Sequence, residues 1–359
     1  MLDLDGLSAL SRVDDLSLGY NDSLIHIDAL KKLSEMSVHL RSNELLSNVN
    51  GLEALTRAGE IELVGNPALA DFSGLAQLAS VSGSLIISDS AIDDRANFPS
   101  LSEVGALTLV RDPRLTGLNA FAALTALGSL YVSTNSALAN VDGLEQVRAL
   151  NSLAIERNDS LSSVAGLRRL SSVDELCSLS FNAALASSSG LDALQRAGTL
   201  FVIGNSSLQG PLALGALDSV DDLLSIANNP KLVDLTGLGP LSHVTHVSIE
   251  GNHSLSSLAG LEGLTEPSGE IHLSYNDSLT DLAGLANLQS ASLLEIVGNP
   301  SLQRLRQLSL LRQLTFMLSI GNNARLPSCE AEWLRDHIGV ENIGQSQIYE
   351  NDAAGVCPP

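Results

Sequence analysis

Metal binding or nucleophilic catalysis would require histidine, cysteine and carboxylate side chains at defined spacings. The chain has seven histidines and three cysteines in 359 residues. His243 and His246 form the closest histidine pair, but no adjacent cysteine or carboxylate completes a zinc-site pattern. The sequence also lacks the Gly-x-Ser-x-Gly motif of hydrolase nucleophiles and a glycine-rich loop between a strand and a long helix. We therefore predict no catalytic residue, no metal site and no cofactor.

A repeated Asn-x-x-Leu pattern organises most of the chain instead. It recurs at intervals of about 23 residues, and asparagine is twice replaced by aspartate. We call these asparagines and aspartates the anchors. The anchors are Asn21, Asn43, Asn66, Asp89, Asp112, Asn135, Asn158, Asn182, Asn205, Asn229, Asn252, Asn276, Asn299 and Asn323.

Apolar residues occupy fixed positions around each anchor. An aliphatic residue lies three positions before it, and another generally lies five before, which predicts a short strand with one buried face. Leucines at three-residue intervals after the anchor predict tight turns of 3₁₀ character. One such unit cannot bury its own apolar face. We therefore expect the units to stack with their strands in parallel.

The anchor side chain is expected to point inward and to form an asparagine ladder. Asparagine carries both a donor and an acceptor, so it can satisfy backbone groups that a sharp turn hides from water. Asp89 and Asp112 offer acceptors only, and we expect their turns to be less well satisfied. The fourth turn is also irregular because residues 85–87, Leu-Ile-Ile, permit two strand registers or a bulge.

The motifs resemble those of leucine-rich repeats and of receptor L-domains. Residues 127–135 read Leu-x-x-Leu-x-Val-x-x-Asn, and residues 65–69 read Gly-Asn-Pro-x-Leu. The resemblance implies a single-stranded, right-handed solenoid of about fourteen 23–24-residue repeats over residues 1–326. Similar arrays occur in large surface proteins of bacteria, including those of myxobacteria. Such repeats serve many partners, so the resemblance implies a fold rather than a ligand.

The two ends differ from the repeats. Residues 4–7 align with the second half of a repeat, so we expect a truncated N-terminus. Residues 327–359 resemble a cap, with a short helix over residues 330–338. Cys329 and Cys357 bracket this cap and could form a disulfide, which would indicate an oxidising compartment, or remain free thiols. Cys177 replaces a core aliphatic residue.

A group of large side chains stands out on the predicted outward strand face, where most residues are small. Exposed aromatic residues beside arginine are typical of binding hot spots. The alternative is that Phe181 or Phe201 packs against a neighbouring loop. The candidate binding patch consists of Tyr131, Arg157, Phe181, Phe201 and Ile203.

The charge narrows the possible partners. A formal net charge of −22 disfavours nucleic-acid binding, and no apolar run is long enough to insert into a membrane. We expect a non-catalytic, extracellular or cell-surface recognition or adhesion module that binds a protein or glycan. A structural spacer is the second hypothesis and a polysaccharide-acting β-helix enzyme the third, and a cytoplasmic location is the alternative to export. The oligomeric state and the reason for the acidity stay open.

Overall fold

The computed structural model describes residues 3–357. Contacts divide the chain into two compact units, residues 1–174 and residues 175–359, which are described separately here. Among the described residues, no helix has the length and apolar character needed to cross a membrane.

Unit 1 is a solenoid of parallel strands. Partners in adjacent strands, such as Leu107 and Leu130, lie one repeat apart in the sequence, which confirms the predicted period. Strand β10 (Ser172–Ser180) contains the boundary with unit 2. The other strands are β1 (Asp15–Gly19), β2 (Ser37–Arg41), β3 (Arg57–Ala58), β4 (Ile61–Val64), β5 (Ser80–Ser88), β6 (Glu103–Val110), β7 (Ala126–Ser133), β8 (Ala149–Leu150) and β9 (Ser152–Glu156).

Unit 2 has the same architecture, and its strands are again parallel. One α-helix, α1 (Ser328–Ile338), lies between its last two strands. The strands are β11 (Arg196–Ile203), β12 (Ser219–Ala227), β13 (His243–Glu250), β14 (Glu270–Ser274), β15 (Ser290–Val297), β16 (Gln313–Gly321) and β17 (Ile343–Tyr349).

The turns explain the leucines at three-residue intervals. In the second repeat the backbone N–H of Leu46 donates to the carbonyl of Asn43 at 3.2 Å. Leu52 and Leu55 then donate to the carbonyls three residues before them, each at 2.9 Å. A chain with three residues per turn brings every third side chain to the same face, so these leucines all enter the core. The 3₁₀ segments are Asp5–Leu7, Asp28–Leu30, Asn50–Leu52, Ser73–Leu75, Asn119–Phe121, Ala165–Leu167, Ala283–Leu285, Arg306–Leu308 and Val340–Asn342.

Each buried asparagine anchor links its own repeat to the preceding one. The Oδ1 atom of Asn66 accepts the backbone N–H of Asn43 at 3.1 Å. Its Nδ2 donates to the carbonyl of Leu40 at 2.8 Å and to that of Val64 at 3.2 Å. Asn252 in unit 2 makes the same contacts, with Asn229 and Ile226. The fully buried anchors are Asn43, Asn66, Asp112, Asn135, Asn158, Asn182, Asn205, Asn229, Asn252, Asn276, Asn299 and Asn323.

The fourth repeat corrects one predicted anchor. Strand pairing sets Ser88 opposite Val64, so Ser90 rather than Asp89 takes the ladder position. Asp89 instead adopts the left-handed conformation that precedes an anchor, with φ of 53°. Its carboxylate lies outside the core and pairs with Arg111 at 2.6 Å. Of the two possible registers, the chain adopts the one that buries Leu85 and Ile87 and leaves the charged Asp89 in solvent.

Asp112 does occupy the ladder, and one of its oxygens lacks a partner. Its Oδ1 accepts the backbone N–H of Ser90 at 2.9 Å and the Ser90 hydroxyl at 2.8 Å. Its Oδ2 is buried without a hydrogen bond, because a carboxylate cannot donate to the carbonyls that an asparagine would reach. Burial raises the pKa of Asp112 to about 6.

The C-terminal cap contains an additional ladder position that the 23-residue spacing does not reveal. Strand β17 pairs with β16, and Asn351 then donates its Nδ2 to the carbonyl of Ile320 at 3.0 Å. Its Oδ1 accepts the N–H of Asn323 at 3.3 Å. Helix α1 lengthens this repeat, so the two asparagines are 28 residues apart.

Helix α1 is fixed to the last repeats by a buried carboxylate. Glu330 is fully buried and accepts hydrogen bonds from the backbone N–H of Leu305 and from Nε of Arg306, both at 2.9 Å. Trp333 is half-buried, and the guanidinium of Arg306 lies over its ring at 4.4 Å. Cys329 and Cys357 form a disulfide that joins the helix to the end of the described chain.

The ladder predicts a large loss of stability when an anchor is truncated. Asn158→Ala removes the acceptor of the Asn135 N–H and the donor to the Val132 carbonyl. We expect the free energy of unfolding to fall by about 1–3 kcal/mol, because both groups would remain buried without partners. Urea denaturation followed by circular dichroism measures this loss. An unchanged transition would contradict an inward ladder.

Asp112→Asn should stabilise the protein at neutral pH. The pKa of the carboxyl group is 3.8 in the unfolded chain and about 6 in the folded protein. Below pH 3.8 the group is protonated in both states, and the folded protein loses stability as the pH rises from 3.8 to about 6. At about pH 7.5 we expect the variant to exceed the parent by about 1–3 kcal/mol, and the difference should shrink at about pH 4. Denaturant titrations at the two pH values test this. A difference independent of pH would contradict the assignment.

Because Cys329 and Cys357 form a disulfide, Cys177 should be the one free thiol of the three cysteines. Cys177 is buried without a partner thiol, and burial raises its pKa to about 12, so it should react only after unfolding. Thiol titration of the denatured, unreduced chain should detect one reactive group, and the same titration after reduction should detect all three. Three reactive thiols before reduction would exclude the bridge.

Candidate functional site

Side chains on the outward faces of the strands take no part in the asparagine ladder or in the core. Alternate side chains of a strand point to opposite faces, so in β13 Val247 and Ile249 are buried while Ser248 and Glu250 face outward. In unit 2 the residues two and four positions before an anchor include serine, alanine, glycine and glutamate. Large apolar residues on such a face therefore stand out.

In unit 2 the predicted patch residues form one continuous feature, which we call the apolar strip: Phe181, Phe201 and Ile203. Phe201 and Ile203 are two residues apart in β11, so they share the outward face, and both are half-buried. Their partners in β12 are Ser225 and Ala227, whose short side chains do not bury them fully. The strip thus presents Phe201 and Ile203 on strand β11, with the Phe181 ring from the turn that follows β10.

Phe181 also has a structural role. It adopts the left-handed conformation before an anchor, with φ of 59°, and its N–H donates to the carbonyl of Ile203 at 2.7 Å. Its ring lies over Gly204, where an added Cβ would come within 2.5 Å of the ring. Tyr275 covers Gly298 in the same way. Phe181 nevertheless stays 45% exposed, so the packing expected as the alternative coexists with an accessible ring face.

Unit 1 contains the other two predicted patch residues. Tyr131 in β7 is 40% exposed, and its strand partners are Thr108 and Ala154, which are too small to cover the ring. Arg157 adopts a left-handed conformation, and its guanidinium lies 3.7 Å from the carboxylate of Glu156. Both side chains are therefore accessible, and each belongs to the outward part of its own repeat.

Histidine–carboxylate contacts on the outward faces are features that the sequence analysis missed. In unit 2 the Nε2 of His272 lies 2.9 Å from Glu270, and Nδ1 lies 3.4 Å from Glu295. Burial lowers the pKa of His272, but the two carboxylates outweigh it and the net direction is upward. Spacing along the chain did not reveal such groups, because Glu295 belongs to the neighbouring repeat. His246 accepts the N–H of Glu270 at 3.1 Å.

A second such group lies in unit 1. His39 of β2 contacts Asp15 of β1 and Glu62 of β4, each at 3.1 Å. Arg41 also binds Glu62. Burial raises the pKa of Glu62, but hydrogen bonds from His39 and Arg41 lower it further, so the net shift is downward and the carboxylate is ionised.

Comparisons with known proteins do not identify a family for the chain. No family model matches the chain, and no curated protein matches it. One similar solved structure is titled "Crystal structure of TLR13-ssRNA13 complex", with a TM-score of 0.45 and 20% sequence identity. The alignment covers 96% of this chain and 56% of that chain, so this chain spans little more than half of its length. The parallel strands, the repeat spacing and the 3₁₀ turns of the chain itself make its fold leucine-rich-repeat-like.

Proposed function

We propose that the protein is a non-catalytic recognition module that binds a protein or glycan on the outward strand face of unit 2. The apolar strip carries this proposal. Phe201 and Ile203 stay partly exposed at the C-terminal end of β11, and the paired positions of β12 hold serine and alanine.

The buried and outward faces of the strands have different roles, and the proposal follows from this difference. The buried faces and the anchors supply the packing and the hydrogen bonds that hold the repeats together. Phe201 and Ile203 point outward and are not needed for that packing, so their exposure costs solubility without a gain in stability. Binding energy in interfaces is concentrated in a few aromatic and arginine side chains, which makes the strip a suitable anchor for a ligand.

Charge and shape limit the nature of the ligand. A chain with a net charge of −22 repels phosphate backbones, which favours a protein or glycan over a nucleic acid. Rings on a rigid strand can contact either an apolar protein surface or the face of a sugar ring. We further propose that the protein works outside the cytoplasm, because disulfides such as Cys329–Cys357 form and persist mainly in oxidising compartments.

A structural spacer is the second candidate. It is favoured by the regular repeats and by the many small outward side chains, such as Ser225 and Ser248, which offer little to a ligand. A spacer would bind nothing through the strip, so the same experiment separates the two hypotheses.

The strip predicts that truncating the Phe201 ring weakens binding while the fold survives. A glycan and protein array probed with the parent identifies the ligand, and titration then compares Phe201→Ala with it. We expect affinity to fall at least tenfold, in line with the loss of about 1.4 kcal/mol or more at a hot spot. Phe316→Ala is the matched control, since Phe316 in β16 is also an exposed phenylalanine outside the strip.

The outcome that contradicts the proposal is equal binding by the parent and by Phe201→Ala, or an array with no ligand at all. Phe181→Ala adds a further arm. It should weaken binding and also lower stability, because Gly204 loses its cover. Tyr275→Ala, which uncovers Gly298, should lower stability alone.

A further inference from the structure

The strongest unassigned group of side chains lies on the outward face of unit 1. His39, Glu60 and Glu62 each offer one ligand atom, and these atoms lie within 4.8 Å of one another. Within residues 3–357 it is the one such group of three histidine, cysteine or acidic side chains. His39 and Glu62 are only 15% and 14% exposed, so the strands fix their positions.

His39 is held as a metal-binding histidine usually is. Its Nε2 faces Oδ2 of Asp15 at 3.1 Å, which leaves Nδ1 directed at Oε2 of Glu62, also at 3.1 Å. In metal sites a carboxylate commonly binds the nitrogen of a histidine that does not contact the ion, and so orients the ring. Asp15 has that place here, on the strand that precedes β2.

Glu60 differs from the other two members of the group because its carboxylate has no other partner in the described part of the chain. It is half-buried, and its carboxylate has no hydrogen bond or ion pair with any of the described residues. Its backbone is fixed, because its N–H donates to the Ser37 hydroxyl at 3.2 Å. The ligand atoms of Glu60 and Glu62 lie within 4.8 Å of one another, and a cation between them would offset the repulsion of the two carboxylates.

The local charge also favours a cation. Three carboxylates, those of Asp15, Glu60 and Glu62, face the guanidinium of Arg41 and the imidazole of His39. The arginine is half exposed, so it can move into solvent when an ion takes its place on Glu62.

We propose that His39 Nδ1, Glu60 and Glu62 bind one divalent transition-metal ion of the zinc type, with Asp15 orienting the histidine. One imidazole and two carboxylates suit zinc better than calcium or magnesium, which require six or more oxygen ligands. Water completes the coordination on the solvent side, where a ligand of the outward face could replace it. The site uses no residue of the apolar strip, so it stands or falls independently of the function proposed above.

The group around His272 provides a matched control in unit 2. His272 also faces two carboxylates, those of Glu270 and Glu295, but these three described residues do not place three ligand atoms within 4.8 Å of one another. A nonspecific affinity of histidine and glutamate for zinc would involve both groups equally.

Isothermal titration of zinc chloride into the full chain tests the proposal. We expect one ion per chain, a loss of affinity of at least about tenfold in Glu60→Gln, and a loss of about 10- to 100-fold in Asp15→Ala. Glu60→Gln is the decisive variant because its carboxylate has no partner in the fold, so its circular dichroism spectrum should not change. His39→Gln should abolish binding, and Glu295→Gln should leave it unchanged.

The cobalt-substituted protein gives a second readout, because visible absorption bands report nitrogen and oxygen ligands directly. These bands should appear in the parent and in Glu295→Gln and should be absent from His39→Gln. No binding to the parent, equal affinity in Glu60→Gln, or a loss of binding in Glu295→Gln would overturn the proposal.

Discussion

The structure depends on one constraint: where each strand ends, the chain turns inward and leaves backbone amides and carbonyls that water cannot reach. Asparagine meets this constraint because a single side chain accepts the N–H of the preceding anchor and donates to a carbonyl of the preceding strand. The residue before the anchor is left-handed, as at Ser42 and Thr134, which aims the anchor into the core. The repeat length, the leucine spacing and the freedom of the outward face follow from this arrangement.

The two irregular repeats show what happens when the constraint is met imperfectly. At Ser90 a hydroxyl replaces the amide, and the neighbouring Asp89 moves outside to pair with Arg111. At Asp112 the anchor is a carboxylate with one unsatisfied buried oxygen and a raised pKa. The two irregular anchors contact each other directly, since the Asp112 carboxylate accepts hydrogen bonds from both the N–H and the hydroxyl of Ser90. Unit 1 thus carries a local weakness that unit 2 lacks among its described anchors, which are all asparagines.

Much of the fold could be predicted from the sequence because its information is periodic. The parallel strands, the 23-residue period and the 3₁₀ turns all follow from apolar residues at fixed distances from the anchors. The Asn-x-x-Leu pattern does not predict the anchor correctly in two of the repeats. The Asn-x-x-Leu spacing points to Asp89, but the pairing of β4 with β5 shifts the anchor by one residue, to Ser90. The spacing does not reveal Asn351, because helix α1 lengthens its repeat to 28 residues. Contacts between repeats were also hidden, since His39 and Glu62 are far apart in the sequence and the cover of Gly204 by Phe181 depends on ring orientation.

The central claim is that the anchor side chains satisfy the buried turns from inside, which leaves the outward strand face free for binding. Amide hydrogen exchange measured by NMR tests it most directly. The account predicts that the backbone amides of Asn43, Asn135 and Asn229, which donate to the next anchor, exchange as slowly as the amides of buried strand residues. Anchor amides that exchange as fast as those of the exposed turns, beside protected strands, would contradict it.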